Sequence, residues 1–317
     1  MRRASSALIL LLTLAGCQNK QTKTIAVIPK GTSQVFWVSV QRGVLAAGQK
    51  YGVEIIWNGP SLETDYDRQI QIIDSMIARR VDAIAVAPAE RKALAAPIER
   101  ATSAGIPVTV FDSAVDSSSY MSYVATNNIE VGKMAARELG RLLNGQGDIA
   151  MLMNAPGSAS TMEREKGFEQ ELGDKFPKVR LVARQYGMSD RSRAMGVAEN
   201  ILTAQPALNG IFASSEASGI GCALALKARG LSGKVKLVAV DASDSMVEDL
   251  RAGTISSLVA QDPYRMGFSA VETLVNKLRG QTPPRQIDLP ATLITKVNLD
   301  SPEVQKLLKP ANLPAVR

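Results

Sequence analysis

Residues 24–43 read TIAVIPKGTSQVFWVSVQRG. Thr24 to Ile28 form a short β-branched and apolar run, which predicts a buried strand. A polar loop with Lys30 and Gly31 follows, and VFWVSVQRGVLAAGQKYG then spaces its apolar residues as a helix. Strand, loop and helix open a βαβ unit, and that unit implies a parallel sheet covered by helices. Phe36 and Trp37 sit together at the mouth of this turn, in a chain with 4% aromatics and only two tryptophans. Two large rings at such a place ask for a purpose.

The same alternation runs outward along the chain. VEIIW precedes the helix DRQIQIIDSMIARR, whose Ile70, Ile73, Ile77 and Met76 are predicted to share one face. DAIAVA, PVTVF, DIAMLM, VRLVARQ, GIFAS and KVKLVAV are further strands, separated by helical stretches. Near-continuous apolar strands between amphipathic helices mean parallel sheets buried on both faces. There are too many strands for one compact sheet, which predicts two lobes. An internal echo agrees: PVTVF ends in DSAVDS (112–117) and KLVAV ends in DASDS (241–245). Chance similarity between common α/β parts is the alternative reading of so short a repeat.

Composition bounds the rest. With 45% hydrophobic and 21% charged residues, the 317-residue chain reads as a soluble globular protein. Its start, MRRASSALILLLTLAGC, has Arg2 and Arg3, an apolar stretch from Ala7 to Leu14 and small residues running into Cys17. That stretch is too short to span a bilayer and has the form of an export signal. LAGC resembles the lipobox of bacterial lipoproteins, which implies cleavage after residue 16 and a lipid on Cys17, with residues 17–23 as a tether. Removing two arginines lowers the net charge of +7 by two, and no dense basic run accompanies it, so no nucleic-acid partner is expected. Cys222 lies among small and apolar residues and reads as a buried hydrophobe; with no histidine in the chain, a Cys–His nucleophile is excluded.

In open parallel sheets, ligands bind outside the carboxyl ends of the strands. There the sequence places Lys30, Gln34, Phe36 and Trp37, then Asp112 and Ser113, then Arg164 in the second half, followed by Ser215, Glu216, Asp241 and Gln261. Aromatics, carboxylates, a guanidinium and amides suit a sugar or polyol. A ring covers an apolar C–H face, carboxylates accept from hydroxyls, and Arg or amides donate to them. Each charged hydrogen bond contributes ~1.5–3 kcal/mol, so three or four suffice for a micromolar site near −8 kcal/mol. Phe36 and Trp37 are then a stacking platform; filling a seam beneath the helix is the other reading of Phe36.

From Thr24 to about Asn298 the chain resembles the ribose-binding-protein branch of the periplasmic sugar-binding proteins, the receptors of ABC importers. The matching motifs are FW, VFDS, ATNN, EREKGF, VAVDAS and VAQDP, in order. The resemblance implies an α/β type I periplasmic binding protein of two Rossmann-like lobes joined by three hinge strands. The lobes would be 24–126 plus 262–289 and 127–261 plus 290–317, with crossings near 126, 262 and 289. It implies a monomeric binding protein of the periplasm or cell surface, not an enzyme. No cofactor and no metal are implied, the partners being a small sugar or polyol, an ABC permease and the membrane through a lipid anchor only.

Carried over by position, Phe36 and Trp37 pack on the sugar, Asp112 and Arg164 bond it from opposite lobes, and Asp241 and Gln261 complete the polar ring. Gln34 stands where the ribose receptor has an asparagine. Lys30 stands for a serine, Ser113 for an arginine, Ser189 for an aromatic and Ser215 for an asparagine. VIPK and WNGP look more like the branch that binds rhamnose and a furanosyl quorum signal, where such a lysine touches ligand. Lys30 as a solvated loop cation is the alternative. Lys30 and Arg164 against Asp112 and Asp241 make a balanced count, which predicts a neutral ligand with Lys30 held between carboxylates. Two other functions stay open: a sensor presenting its closed form to a membrane kinase or chemoreceptor, and, more remotely, a glycosidase using Asp112 and Asp241.

Overall fold

A computed structural model describes residues 22–309; the expected signal, Cys17, most of the tether and the last eight residues lie outside them. The chain begins with β1 (Thr24–Ile28), α1 (Val35–Tyr51), β2 (Glu54–Trp57), α2 (Tyr66–Ala78), β3 (Ala83–Val86), α3 (Ala95–Ser103), β4 (Val108–Phe111) and β5 (Ser122–Thr126). Next come α4 (Asn128–Leu142), β6 (Gln146–Met153), α5 (Ala159–Lys175), β7 (Lys178–Tyr186), α6 (Arg191–Ala204), β8 (Gly210–Ala213), α7 (Glu216–Ala228), β9 (Lys236–Val240), α8 (Asp244–Ala252) and β10 (Ser257–Ala260). It ends with α9 (Pro263–Leu278), β11 (Gln286–Leu289), β12 (Thr292–Ile294) and α10 (Pro302–Leu308).

These strands form two six-stranded sheets, ordered β2-β1-β3-β4-β5-β11 and β7-β6-β8-β9-β10-β12. Every pairing is parallel except β10 with β12. The strand order is the same in both sheets, with β4 and β9 in equivalent places. The echo in the sequence is therefore architectural. Asp112 and Asp241 each follow the equivalent strand at positive φ, 61° and 78°. Their N–H groups bond equivalent neighbours, Val124 O and Val259 O. Left-handed backbone is uncommon outside glycine but tolerated by aspartate. Both carboxylates are thus fixed at strand ends by the same device. The chain passes between the sheets after β5, after β10 and between β11 and β12.

Each sheet is buried on both faces. In the first lobe, one side of the core holds Ile25, Val27, Trp37, Phe111 and Leu274, and the other holds Ile28, Ile73, Met76 and Val110. The buried face of α2 is Gln69, Ile72, Ile73 and Met76; Ile70 and Ile77, predicted to share it, are only partly buried at its flank. Cys222 is buried as expected. Glycines bring paired helices into backbone contact. A Cβ on Gly132 of α4 would lie 1.9 Å from the Arg164 carbonyl oxygen, and one on Gly167 of α5 would lie 2.2 Å from Ile129 O. Any side chain at these positions would force α5, and Arg164 with it, away from α4.

Candidate functional site

Between the lobes, at the carboxyl ends of the central strands, lies a narrow cavity. Nine residues singled out in the sequence line it: Lys30, Gln34, Phe36, Trp37, Asp112, Arg164, Ser215, Asp241 and Gln261. Two do not. Ser113 Oγ faces away to accept the Ser160 N–H, and Ser189 Oγ donates to Glu63 while accepting from Gln34. Both were expected at the ligand from their counterparts in the ribose receptor; here their hydroxyls are taken up by protein partners.

Phe36 and Trp37 combine both roles considered for them. Trp37 meets Phe36 edge-on at 5.0 Å and Phe111 at 6.3 Å between ring centres, so the pair is anchored in the core beneath α1. Their outer edges still reach the cavity. The remaining walls are polar. Arg164 Nε donates to Asn128 Oδ1 (2.8 Å) and Nη1 to Ser214 O (3.0 Å), which holds the guanidinium flat while leaving other N–H groups unengaged. Asp241 accepts from Gln261 Nε2 (2.7 Å) and from the Glu216 N–H (3.0 Å). The Oε1 of Gln261 is buried with no partner among the described residues. A buried polar atom of this kind is costly unless something else satisfies it.

Lys30 departs from its expected position between carboxylates. Its Nζ lies 2.7 Å from Asp112 Oδ2 and donates to two hydroxyls across the cleft, Ser160 at 2.9 Å and Ser158 at 3.2 Å. An ammonium has three donors, and all three have protein partners. Lys30 is neither a solvated loop cation nor a group with a spare proton for ligand; it ties one lobe to the other. Glu216 makes a second tie. Its Oε2 accepts the Phe36 N–H at 2.9 Å, at the start of α1, where Gln34 supplies no side-chain cap. A carboxylate from the second lobe thus satisfies the exposed amides and favourable dipole end of a first-lobe helix, with Arg191 paired to its other oxygen at 2.5 Å.

Glu63, Asn154, Ser160 and Thr161 also line the cavity and were not singled out from the sequence. Glu63 and Asn154 follow the ends of β2 and β6, so the strand-end rule covers them had it been applied to every strand. Glu63 changes the charge count to three carboxylates against two cations.

Burial shifts the acids upward. It raises Asp241 and Glu216 above the ordinary carboxylate range. Beneath the cavity it pushes Glu165 up to about 7, although Ser214 Oγ and the Asn154 N–H both donate to it. Between the unfolded value of 4.5 and about 7, the folded protein holds a proton at Glu165 that the unfolded chain has lost. The stability so gained is fully present below 4.5 and disappears as pH rises through 7. The melting temperature should therefore fall between pH 5 and pH 8, by on the order of 2–3 kcal/mol of stability from this group. Glu165→Gln should flatten the profile; a variant with an unchanged slope would assign the effect elsewhere.

Two lobes of one architecture, clasped about a polar and aromatic cavity, define a bilobal solute-binding protein. Residues 25–282 match the model of the periplasmic binding protein domain family, and the chain belongs to that family. A carbohydrate transporter solute-binding protein from Agrobacterium radiobacter, solved with D-arabinose, superposes with a TM-score of 0.89 at 32% identity, covering 92% of this chain and 100% of its own. An ABC transporter solute-binding protein from Agrobacterium vitis with bound D-fucose gives 0.88 at 31% identity, covering 90% and 100%. The ribose import binding protein of Bacillus subtilis is 28% identical over 88% of this chain and 89% of its own length. Like these relatives, the protein is a solute-binding protein and not an enzyme.

Proposed function

We propose that this protein captures a neutral monosaccharide or polyol between its lobes and delivers it to the permease of an ABC importer. The observation that carries the reading is the set of unengaged polar groups converging on one aromatic-walled cavity. Among the described residues, Arg164 has donors to spare, Gln261 Oε1 lacks a partner, and Asp112 uses one carboxylate oxygen on Lys30. With Phe36 and Trp37 at the side, this is what a ring of hydroxyls and its C–H face require. Three carboxylates against two cations oppose an anion, since an added negative charge would be buried without compensation.

The lobes, 24–126 with 262–289 and 127–261 with the remaining chain, would open and close about the three crossings, with Lys30 and Glu216 bonding across only when closed. Outside the cytoplasm, a lipid on Cys17 would hold the protein at the membrane. Fatty-acid label retained by a Cys17→Ser protein would remove the anchor from this reading.

Thermal melts and calorimetry over D-arabinose, D-fucose, D-ribose, xylitol and ribose 5-phosphate test the ligand class. A ligand at 100 times its dissociation constant should add ~2.7 kcal/mol of stability. Tighter binding of ribose 5-phosphate than of ribose, or no response to any neutral compound, would overturn the proposal.

A further inference from the structure

We propose that Glu63 is a ligand-binding residue that sets specificity, by demanding a hydroxyl donor on the part of the ligand it faces. The proposal rests on the sugar reading of the same cavity. Glu63 stands in the loop between β2 and α2 and lines the cavity opposite Asn154. Its Oε1 accepts from Trp37 Nε1 at 2.6 Å; its Oε2 accepts from Ser189 Oγ at 2.7 Å and from Asn154 Nδ2 at 3.3 Å. An ionised carboxylate offers about four acceptor sites. Three are taken by protein donors, so room remains for one more.

Around it, among the described residues, the one donor left unengaged is the second amide N–H of Asn154. The single hydroxyl proton of Ser189 goes to Glu63, and its oxygen already accepts from Gln34 Nε2 at 2.7 Å. The Trp37 indole has one N–H, and that too is on Glu63. Asn154 turns its carbonyl oxygen to Ser215 Oγ at 3.0 Å. Glu63 itself therefore offers only an acceptor, and an acceptor-only group of the ligand finds no match at its carboxylate. A hydroxyl fits. A hydrogen or methyl in its place leaves a desolvated carboxylate short of a partner, and a second carboxylate or a phosphate is repelled.

Discrimination between a hydroxyl and its absence should be about tenfold to a hundredfold, as for loss of one charged hydrogen bond.

The test uses the full-length protein and calorimetry with D-ribose or D-arabinose, whichever binds more tightly, alongside each of its singly deoxygenated forms. If the wild type binds neither parent nor any other neutral sugar or polyol, the sugar reading fails and this inference with it. If the wild type binds, Glu63→Gln decides the present point alone. The expected result is a tenfold or greater loss for the parent sugar, with little further loss for the one deoxy form lacking the hydroxyl that Glu63 reads. Equal discrimination by wild type and Glu63→Gln across the whole series would overturn the proposal and leave Glu63 as a tie between Trp37, Ser189 and Asn154. Should Glu63→Gln fail to fold, Glu63→Asp serves the same comparison, since the shortened carboxylate keeps the charge but withdraws from the ligand.

Discussion

Lys30→Met is expected to weaken ligand binding by about 3–5 kcal/mol, the range for removing one partner of a buried ion pair. Lys30 and Asp112 have side chains only 3% and 4% exposed, with Nζ and Oδ2 at 2.7 Å. Methionine keeps the length and loses the charge and all three donors. Asp112 would then be a buried carboxylate without its cation. The sequence alone favours a milder loss, on the supposition that Asp112 keeps access to water; its burial removes that relief. The cost falls on the closed cleft, because the other two partners of Lys30, Ser158 and Ser160, belong to the opposite lobe. Affinity should therefore drop far more than the stability of the open protein. Calorimetry on Lys30→Met and on the double variant Lys30→Met with Asp112→Asn checks this, and the double variant should recover part of the loss. Binding by Lys30→Met at wild-type strength would show that the ion pair plays no part in closure.

Arg164→Met should cost about 2–5 kcal/mol in affinity, the range for truncating a buried charged group that bonds a partner. The sequence suggests that its removal strands a paired carboxylate. No carboxylate lies within ion-pair distance of it among the described residues, so that part of the expectation is corrected. What loses its donors is Asn128 Oδ1 and the Ser214 carbonyl, at 2.8 and 3.0 Å. Asp241 also loses the positive field that partly offsets its burial. Arg164→Lys retains charge but not the planar fork, and should recover less than half of the loss. Full recovery with lysine, measured by calorimetry with the same sugar, would mean that charge alone matters and that the guanidinium does not bond the ligand in fork geometry.

On the proposed reading, Glu216 would link binding to movement. It seats a carboxylate on the amides of a helix in the other lobe, and opening of the cleft would return both to water. Closure would then exchange hydration for charged hydrogen bonds, and a ligand would need to add only the remaining difference.

Hydrophobic period was enough to read most strands and helices, because burial on one or both faces writes itself into successive residues. It did not reveal β5, whose SYVAT mixes polar and apolar residues, nor α8 and α9, nor the short outer strands β11 and β12, where QIDL and TLI bury little. Asp112 and Asp241 were legible as strand-end acids, since the carboxyl ends of parallel strands converge by topology. Partnership was not legible. Lys30 reaches hydroxyls 128 and 130 residues away, and Glu63 meets Ser189 across 126. Those contacts depend on how two lobes face each other, which no local pattern encodes. So the sequence by itself determined the two-lobed α/β fold and nine of the cavity's residues. Only the tertiary structure decided that Ser113 and Ser189 stand back, that Glu63 comes forward, and that Lys30 faces serines instead of a second carboxylate, because a buried charge takes whichever partners the closed lobes bring within reach.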